Sequence, residues 1–359
     1  MSPALRWIAN LVVALAAALP LGAQQAVELR FAPAEGSAVR RSFVLDHTLV
    51  VQEFRTVSQG QTQTSQEPIS LAAHQLLRTL DTYRKVGEGR PLLLQRRFEE
   101  LAWNADFATG GPAEKIKAIS PLGGTSVLYT WVPEEKDYGK YYDARESTEE
   151  VLLHLSEDLD LRALLPGHAL HAGESWSVPA ASLVDVLAPC GRLDWRFDAK
   201  RTRKNLLRTL RCGIAGNFSE YFGGESSGEC KLTLAGVDTD KDGRRARVDL
   251  EIQLENKVDQ RGLLQAQMTG PEIASGYRCL RAPVTWSLQG KGRLVWDLGA
   301  NRAASLELEG TQSIAIEFEV AIGEQPPVTQ HMRFAGGLRL RSTIEDPAKA
   351  AAAPPAPPK

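Results

Sequence analysis

The chain has 359 residues, 43% of them hydrophobic, and a formal net charge of -2 at pH 7. This length and this hydrophobic content suffice for one large or two ordinary domains with a packed core. The nearly balanced charge argues against a protein that binds nucleic acid or another polyanion with its whole surface.

The two ends of the sequence differ from the rest. Residues 1–23 combine an early Arg6, an apolar run over residues 7–21 and the small residue Ala23, which together predict a cleaved secretory signal peptide. Residues 346–359 are almost wholly Ala, Pro and Lys and predict a disordered tail. No other run is long and apolar enough to span a bilayer. We therefore expect an exported protein, periplasmic or secreted, without membrane contact beyond the cleaved signal.

Residues 24–145 predict an N-terminal β lobe. Alternation of apolar and polar residues, together with turn signals, indicates strands at residues 27–31, 43–54, 69–86, 91–103 and 125–132. The segment 69–86 has leucines that would also suit a helix. Its threonines, Tyr83 and the Gly-Glu-Gly sequence that follows favour a strand that forms a hairpin with residues 91–103.

Residues 146–190 predict a connector of helices and loops. Ser147 and Glu150 form a capping-box pair, and apolar residues at helical spacing follow, so we expect a helix at residues 148–159. A shorter helix is expected at residues 180–187. The run LLPGHALHAGESW and the LVDVLAP after it resemble segments of uncharacterised exported bacterial proteins of β-rich type. This resemblance implies no activity.

Residues 191–345 predict a C-terminal antiparallel β meander. Alternation is clearest at residues 284–298 and 304–320, which turn residues separate, so these runs form one long hairpin. Its even-numbered side chains, among them Trp286 and Leu306, are expected to face a water-excluded interior. The chain is therefore assigned to the mainly β class, with long antiparallel strands forming curved sheets or half-barrels and a few short helices between them. This architecture resembles the lipoprotein-carrier fold, in which a curved sheet and a plug of helices enclose an apolar cavity.

A basic amphipathic helix is predicted at residues 200–211, where six of twelve residues are Lys or Arg. Such a helix packs on the sheet with its charges in water, pairs with the acidic helix near Glu149, or lies on an anionic membrane. The packed arrangement is favoured because amphipathic helices of this kind are ordinary in globular proteins.

The long hairpin carries glycines on its apolar face. Its turn allows two registers, which place Gly310 opposite either Gly290 or Gly292. Such glycines either let a long sheet bend, which is favoured, or form the floor of a ligand groove. The candidate ligand-binding residues for the groove lie around the glycines on the same face: Trp286, Leu288, Gly292, Trp296, Gly310 and Phe334.

Four cysteines and one acidic run offer further candidate sites. In an exported chain the even number of cysteines predicts two structural disulfides among Cys190, Cys212, Cys230 and Cys279, with three possible connectivities. Asp238, Asp240 and Asp242 match the start of a calcium loop. An Asp-Gly hairpin turn between two strands accounts for the same residues and is favoured.

The sequence lacks the motifs of the common enzyme classes, with no HExxH, phosphate loop or dinucleotide fingerprint. We therefore expect a non-enzymatic protein without a cofactor, although a catalytic group assembled from distant residues would escape this test. Two hypotheses follow. In the first, the protein binds or carries an apolar small molecule or lipid in its curved sheet. In the second, it is a structural or interaction module of the cell envelope, with a packed core and a protein partner.

Overall fold

The computed structural model describes residues 26–65, 68–144, 150–197, 224–241, 243–268, 277–345 and 347. The predicted signal peptide, the predicted helix at residues 200–211 and the predicted tail apart from Pro347 lie outside this part of the chain. Strands account for 68% of the structure and helices for 7%. The predicted fold class is confirmed, with long antiparallel strands in a large curved sheet and few short helices.

Seventeen strands occur in the described ranges. The first eight are β1 Val27–Glu28, β2 Ala38–Ser58, β3 Gln61–Ser65, β4 Ile69–Gly87, β5 Arg90–Thr109, β6 Glu114–Ile119, β7 Ser126–Val132 and β8 Asp137–Tyr142. The connector carries β9 Ala169–Leu170 and β10 Ser175–Pro179, and β11 Arg196–Phe197 follows it. The remaining strands are β12 Glu225–Asp240, β13 Gly243–Asp259, β14 Tyr277–Arg281, β15 Pro283–Asp297, β16 Arg302–Ile322 and β17 Val328–Glu345.

The helices in the described ranges are short. They are α1 Glu150–Leu153, α2 Val184–Leu187 and α3 Arg261–Met268, with 3-10 turns at Arg162–Leu164 and Ala180–Leu183. The 3-10 turn at Ala180–Leu183 runs directly into α2. The short helix predicted at residues 180–187 is therefore confirmed.

Fifteen strands belong to one sheet. Its main path runs β10-β12-β13-β15-β16-β17-β2-β4-β5-β6-β11, while β3, β7, β8 and β14 pair at its sides. Strand β17, near the end of the chain, pairs antiparallel with β2, near its beginning, from Val328 opposite Ser58 to Glu345 opposite Arg40. The two predicted β lobes are thus joined edge to edge in a single sheet.

The sheet has an inner face, which carries the buried side chains, and an outer face, which carries the solvent-exposed ones. Trp286 and Leu306 are fully buried, while Arg293 and Glu307 are exposed, so the predicted sidedness of the long hairpin is confirmed. Gly290 lies opposite Gly310, which is the first of the two predicted registers.

One position in this hairpin differs from its predicted side. A bulge beside Trp296 shifts the pairing, so that Ala303 faces the core instead of Ala304. An extra residue in one strand of a pair reverses the alternation locally, which sequence alternation alone does not reveal.

The ambiguous segment at residues 69–86 is a strand, and its predicted hairpin with the next segment is confirmed. Glu88 and Gly89 form the tight turn, with φ of 52° and 70°. Two consecutive positive φ values are typical of the two-residue turns that suit the twist of antiparallel strands.

The helix predicted at residues 148–159 is shorter than predicted. Helix α1 ends at Leu153, and Leu155 already forms an isolated bridge with Gly191. The Ser156 amide then donates a hydrogen bond of 2.9 Å to the Cys190 carbonyl oxygen. Contacts with a distant part of the chain therefore override the helical spacing of the leucines.

The connector packs on the inner face of the sheet. Its buried apolar residues belong to the same core as those of the strands, and include Leu152, Leu155, Leu159, Leu161, Leu164, Leu183 and Leu187. Side chains of both halves of the sheet take part in this core, among them Phe43 on β2 and Trp296 on β15. The connector thus supplies the apolar layer that a sheet of this size needs on its inner face.

Candidate functional site

Four of the six residues predicted to bind an apolar ligand are packed into the core. All six lie on β15, β16 or β17: Trp286, Leu288, Gly292, Trp296, Gly310 and Phe334. The four with side chains expose 1% of their surface or less. Of the six, Gly310 also lines a groove on the outer face of the sheet.

Glycine is required in the hairpin because the two strands approach closely. A Cβ atom on Gly292 would lie 2.4 Å from the Glu307 carbonyl oxygen, and one on Gly310 would lie 2.5 Å from that of Gln289. Both distances are far below van der Waals contact. The glycines therefore allow a close strand contact in a curved sheet, which supports the bend interpretation.

A buried amide joins four strands beside these glycines. Gln312 on β16 accepts a hydrogen bond of 3.1 Å from the indole N–H of Trp286 on β15. Its amide nitrogen donates to the carbonyl oxygens of Gly337 on β17, at 3.2 Å, and of Thr48 on β2, at 3.3 Å. A polar side chain at this depth is stable because it is hydrogen-bonded.

The outer face carries a groove of about 940 Å³ at the level of the same glycines. Its floor follows one register row across the sheet, through Gly290, Gly310, Leu338, His47 and Ala73. Lining residues come from six adjacent strands, β15 to β5, so at about 4.8 Å per strand the groove is roughly 24 Å long. Its volume lies within the usual range for ligand sites, about 300–1,000 Å³.

One wall of the groove is a row of four charges that alternate in sign, followed by a histidine. The row is Lys291, Glu309, Arg339, Asp46 and His74, each in register with the next. His74 Nδ1 lies 2.6 Å from one oxygen of Asp46, and the Arg341 guanidinium lies 3.5 Å from the other. Neighbouring opposite charges in such a row stabilise each other across the strands.

The opposite wall is uncharged over most of its length. It consists of Gln289, Thr311, Gly337, Thr48 and Ala72, with Asp106 at the β5 end. One wall of the groove therefore consists mainly of small and uncharged polar residues, and the other wall is charged.

A second polar site lies on the inner face. Asp81 on β4 accepts a hydrogen bond of 3.1 Å from Arg41 on β2, and two of 2.9 Å from Arg96 on β5. Arg41 also forms an ion pair with Asp160 of the connector. All four side chains are fully buried. We call Arg41, Asp81, Arg96 and Asp160 the ion cluster.

The arginines of the ion cluster also hold the connector backbone. Arg41 donates a hydrogen bond of 2.8 Å to the Leu159 carbonyl oxygen. Arg96 donates to the carbonyl oxygens of Ser156, at 3.1 Å, and Glu157, at 2.8 Å. Strands β2 and β5 are thereby attached to one short stretch of the connector.

The pKa values of two carboxyl groups in this region, those of Asp81 and Glu157, are shifted in opposite directions. Burial alone would raise the pKa of Asp81, but Arg96 and Arg41 outweigh burial and lower its pKa below the ordinary value. For Glu157, burial dominates and raises the pKa to about 8, although Arg162 forms an ion pair with this carboxylate. Asp81 is therefore ionised at neutral pH, whereas Glu157 holds its proton more tightly than an exposed glutamate.

The sequence pattern did not reveal the ion cluster, although a signal was present. Arg96 stands between Leu94 and Phe98, and Arg41 precedes Phe43 by two positions, so alternation places both arginines on the inner face. Arginine is normally read as a surface residue, because a buried charge is costly without a partner. The connector partner of Arg41 is 119 positions away in the sequence.

The two predicted disulfides are not confirmed. Cys190, Cys230 and Cys279 are buried free thiols, and Cys212 lies outside the described residues. The three lie on separate elements, namely the connector, β12 and β14. Burial raises the pKa of Cys190 and of Cys230 to about 12, so both thiols are protonated at neutral pH.

The acidic run at the end of β12 belongs to a hairpin, as the favoured interpretation predicts. Asp238 pairs with Arg247 at 2.9 Å, and Asp240 lies 3.8 Å from Arg245, both across the hairpin. Asp242 lies outside the described residues. Within the ranges that the structure describes, no group of three His, Cys, Asp or Glu side chains could hold a metal ion.

Comparison with known proteins gives weak similarities. No family model matches the sequence, and no curated protein matches it. Among solved structures, an outer membrane channel from Pseudomonas putida F1 is 9% identical, with a TM-score of 0.22, over 88% of this chain and 97% of the channel. Pseudomonas aeruginosa OpdQ is 9% identical, with a TM-score of 0.15, over 86% and 98% of the two chains. A Pseudomonas aeruginosa FadL homologue is 10% identical, with a TM-score of 0.16, over 86% and 90%.

These scores are too low to transfer a fold or a function from the three proteins to this chain. None of the helices in the described part of the chain is long and apolar enough to cross a membrane. The functional argument therefore rests on the geometry of the sheet.

Proposed function

We propose that the chain is an exported, non-enzymatic binding or carrier protein, and that an elongated apolar ligand, such as a lipid chain, lies in the outer-face groove. The observation that carries this proposal is a groove of about 940 Å³ that crosses six strands. The proposal moves the ligand from the predicted inner-face site to the outer face. The reason is that Trp286, Leu288, Trp296 and Phe334 are packed into the core.

The walls of the groove suggest the chemistry of the ligand. The side chains of its floor row, among them Leu338 and Ala73, are buried on the inner face, so an apolar body can lie close to the sheet backbone. The charged row on one wall alternates in sign and therefore disfavours a polyion of either sign. A single chain with an apolar body and a small polar group fits both features.

The second candidate is a structural or interaction module of the cell envelope. The burial of Trp286, Leu288, Trp296 and Phe334 favours this candidate, because their side of the sheet belongs to one packed core. The sheet then serves as a rigid support, and its outer face contacts a protein partner. The two candidates differ in whether the groove binds a small molecule.

Binding of a fluorescent unbranched fatty acid tests the proposal. We expect saturable binding to the wild-type protein, and a Kd at least about tenfold higher for Ala72→Trp. Ala72 is exposed on one wall, and an indole at this position fills part of the groove. The measurement is a fluorescence titration, together with mass spectrometry of organic extracts of the purified protein.

Thr343→Trp is the matched control, because Thr343 is another small exposed residue on the outer face and does not line the groove. This variant should bind the probe as the wild type does. Absence of saturable binding to the wild type, or equal binding by both variants, would reject the groove as the ligand site. The first of these results would favour the envelope module.

A further inference from the structure

We infer that the ion cluster is a latch that holds connector residues 155–165 on the inner face, and that breaking it releases this segment while the sheet stays folded. This inference goes beyond the proposed function and does not depend on a ligand in the groove. We call residues 155–165 the latched segment. Its contacts with β2, β4 and β5 are on the opposite face of the sheet from the groove.

Charge balance supports the latch. The sheet alone contributes Arg41, Arg96 and Asp81, which leaves one positive charge unbalanced in a fully buried site. Asp160 of the latched segment supplies the missing negative charge. Because a buried charge is stable only when it is paired, the sheet has an electrostatic requirement that the latched segment fulfils.

The sheet retains internal pairing when the latched segment leaves. Asp81 is bound by both nitrogens of the Arg96 fork at 2.9 Å and by Arg41 at 3.1 Å. These three residues are on adjacent strands and do not need the connector to stay together. Water that enters on release can solvate the remaining positive charge, so the sheet does not have to unfold.

The latched segment is under local strain and lacks two hydrogen bonds. Leu161 has φ of 59°, in the left-handed region that is unfavourable for a leucine. Asp160 Oδ2 and Glu157 Oε1 are buried and have no hydrogen-bond partner among the described residues. When the segment leaves the sheet, Leu161 can relax and both carboxylate oxygens can bind water. The strain and the missing hydrogen bonds therefore weaken the binding of the segment to the sheet.

Apolar contacts do not by themselves decide the position of the segment. Leu155, Leu159, Leu161 and Leu164 are buried, and their burial favours the bound state. The backbone and side-chain entropy lost when eleven residues become ordered opposes it. The contacts of the two arginines then determine whether the segment stays bound.

Hydrogen exchange of backbone amides measures release directly. The amides of Ser156, Leu159 and Leu164 are hydrogen-bonded in the latched segment and report on it. In Arg41→Met, we expect these amides to exchange roughly a hundredfold faster, because Asp160 is left buried without its main partner. Exchange in the long strands β13 and β15 should stay within about threefold of the wild type, as expected for the most protected part of a fold.

Two milder variants separate loss of charge from loss of packing. Asp160→Asn keeps the shape of the side chain but removes its charge, and should also accelerate exchange in the latched segment. Arg41→Lys keeps the positive charge without the planar fork, and its effect should fall between those of the wild type and Arg41→Met.

The neighbouring arginines serve as matched controls. Arg40 is partly exposed and paired with Glu99, and Arg97 is exposed. Arg40→Met and Arg97→Met should leave exchange in the latched segment unchanged. Unchanged exchange in both Arg41→Met and Asp160→Asn would overturn the inference. So would an equal acceleration in β13 and β15, since the segment and the sheet would then unfold as one unit.

Discussion

His47 shows how the sheet alters the chemistry of a single residue. It lies in the floor of the groove, between Leu338 and Ala73 in the register row, and exposes 8% of its surface. Burial lowers its pKa to about 4, against the weaker opposing effect of Asp46. At neutral pH the imidazole is therefore uncharged, as the apolar surroundings require.

Stability should accordingly fall when the solution is acidified. Unfolded chains take up a proton at His47 near pH 6.5, whereas the folded protein does so only near pH 4. The stabilisation is complete above pH 6.5 and is lost as the pH falls toward 4. Through this residue, acidification from pH 7.5 to pH 4.5 should lower the free energy of unfolding by about 2–3 kcal/mol.

The comparison with His47→Gln isolates this effect. Urea unfolding of both proteins at several pH values should show that the variant loses less stability on acidification. Glu157 contributes in the opposite direction, because a raised pKa makes stability fall as the pH rises from about 4.5 to about 8. That contribution is present in both proteins and cancels in the difference. Parallel pH profiles for the two proteins would contradict the assignment to His47.

Strands β17 and β2 show how backbone contact sets residue identity within an element. Their register is unchanged from Ala335, which lies opposite Val50, to Leu338, which lies opposite His47. The two glycines in between differ sharply in their surroundings. A Cβ atom on Gly336 would lie 1.9 Å from the Thr48 carbonyl oxygen, whereas one on Gly337 would meet the Thr48 hydroxyl at 3.6 Å.

Alanine at these adjacent positions should therefore have opposite effects. Gly336→Ala forces the two strands apart and should lower the free energy of unfolding by about 2 kcal/mol or more. Gly337→Ala has room for its methyl group and loses less chain entropy on folding, so it should be neutral or stabilising by up to about 1 kcal/mol. Denaturant unfolding measures both changes. Equal destabilisation by the two substitutions would show that the close contact with Thr48 is not the cause.

The molecule as a whole should unfold cooperatively. The pairing of β17 with β2 joins the two halves over sixteen register partners, and one core contains side chains of both halves. Loss of either half would expose the apolar face of the other, which penalises a partly unfolded state. We expect the β4–β5 hairpin and the β12–β13 hairpin to lose amide protection at the same urea concentration. Separate transitions in hydrogen exchange would show that the two predicted lobes are independent domains.

Local patterning was sufficient to predict much of this fold. Alternation with a period of two identified the long strands, the inner face and both the β4–β5 and β15–β16 hairpins, because side-chain direction in a strand follows from the chain itself. It also predicted that the glycines of the β15–β16 hairpin lie on the inner face, with Gly310 opposite either Gly290 or Gly292. These properties depend on neighbours in sequence or on a single turn.

Other features depend on contacts between distant residues, and only the tertiary structure decided them. The seam between β17 and β2, the short extent of α1 and the pairing of Arg41 with Asp160 each join positions more than thirty residues apart. The groove lies on the outer face, because the connector fills the inner face with buried side chains that come from a distant part of the sequence. A sequence specifies each strand's two faces locally, whereas the partner of each face is chosen by the packing of the whole sheet.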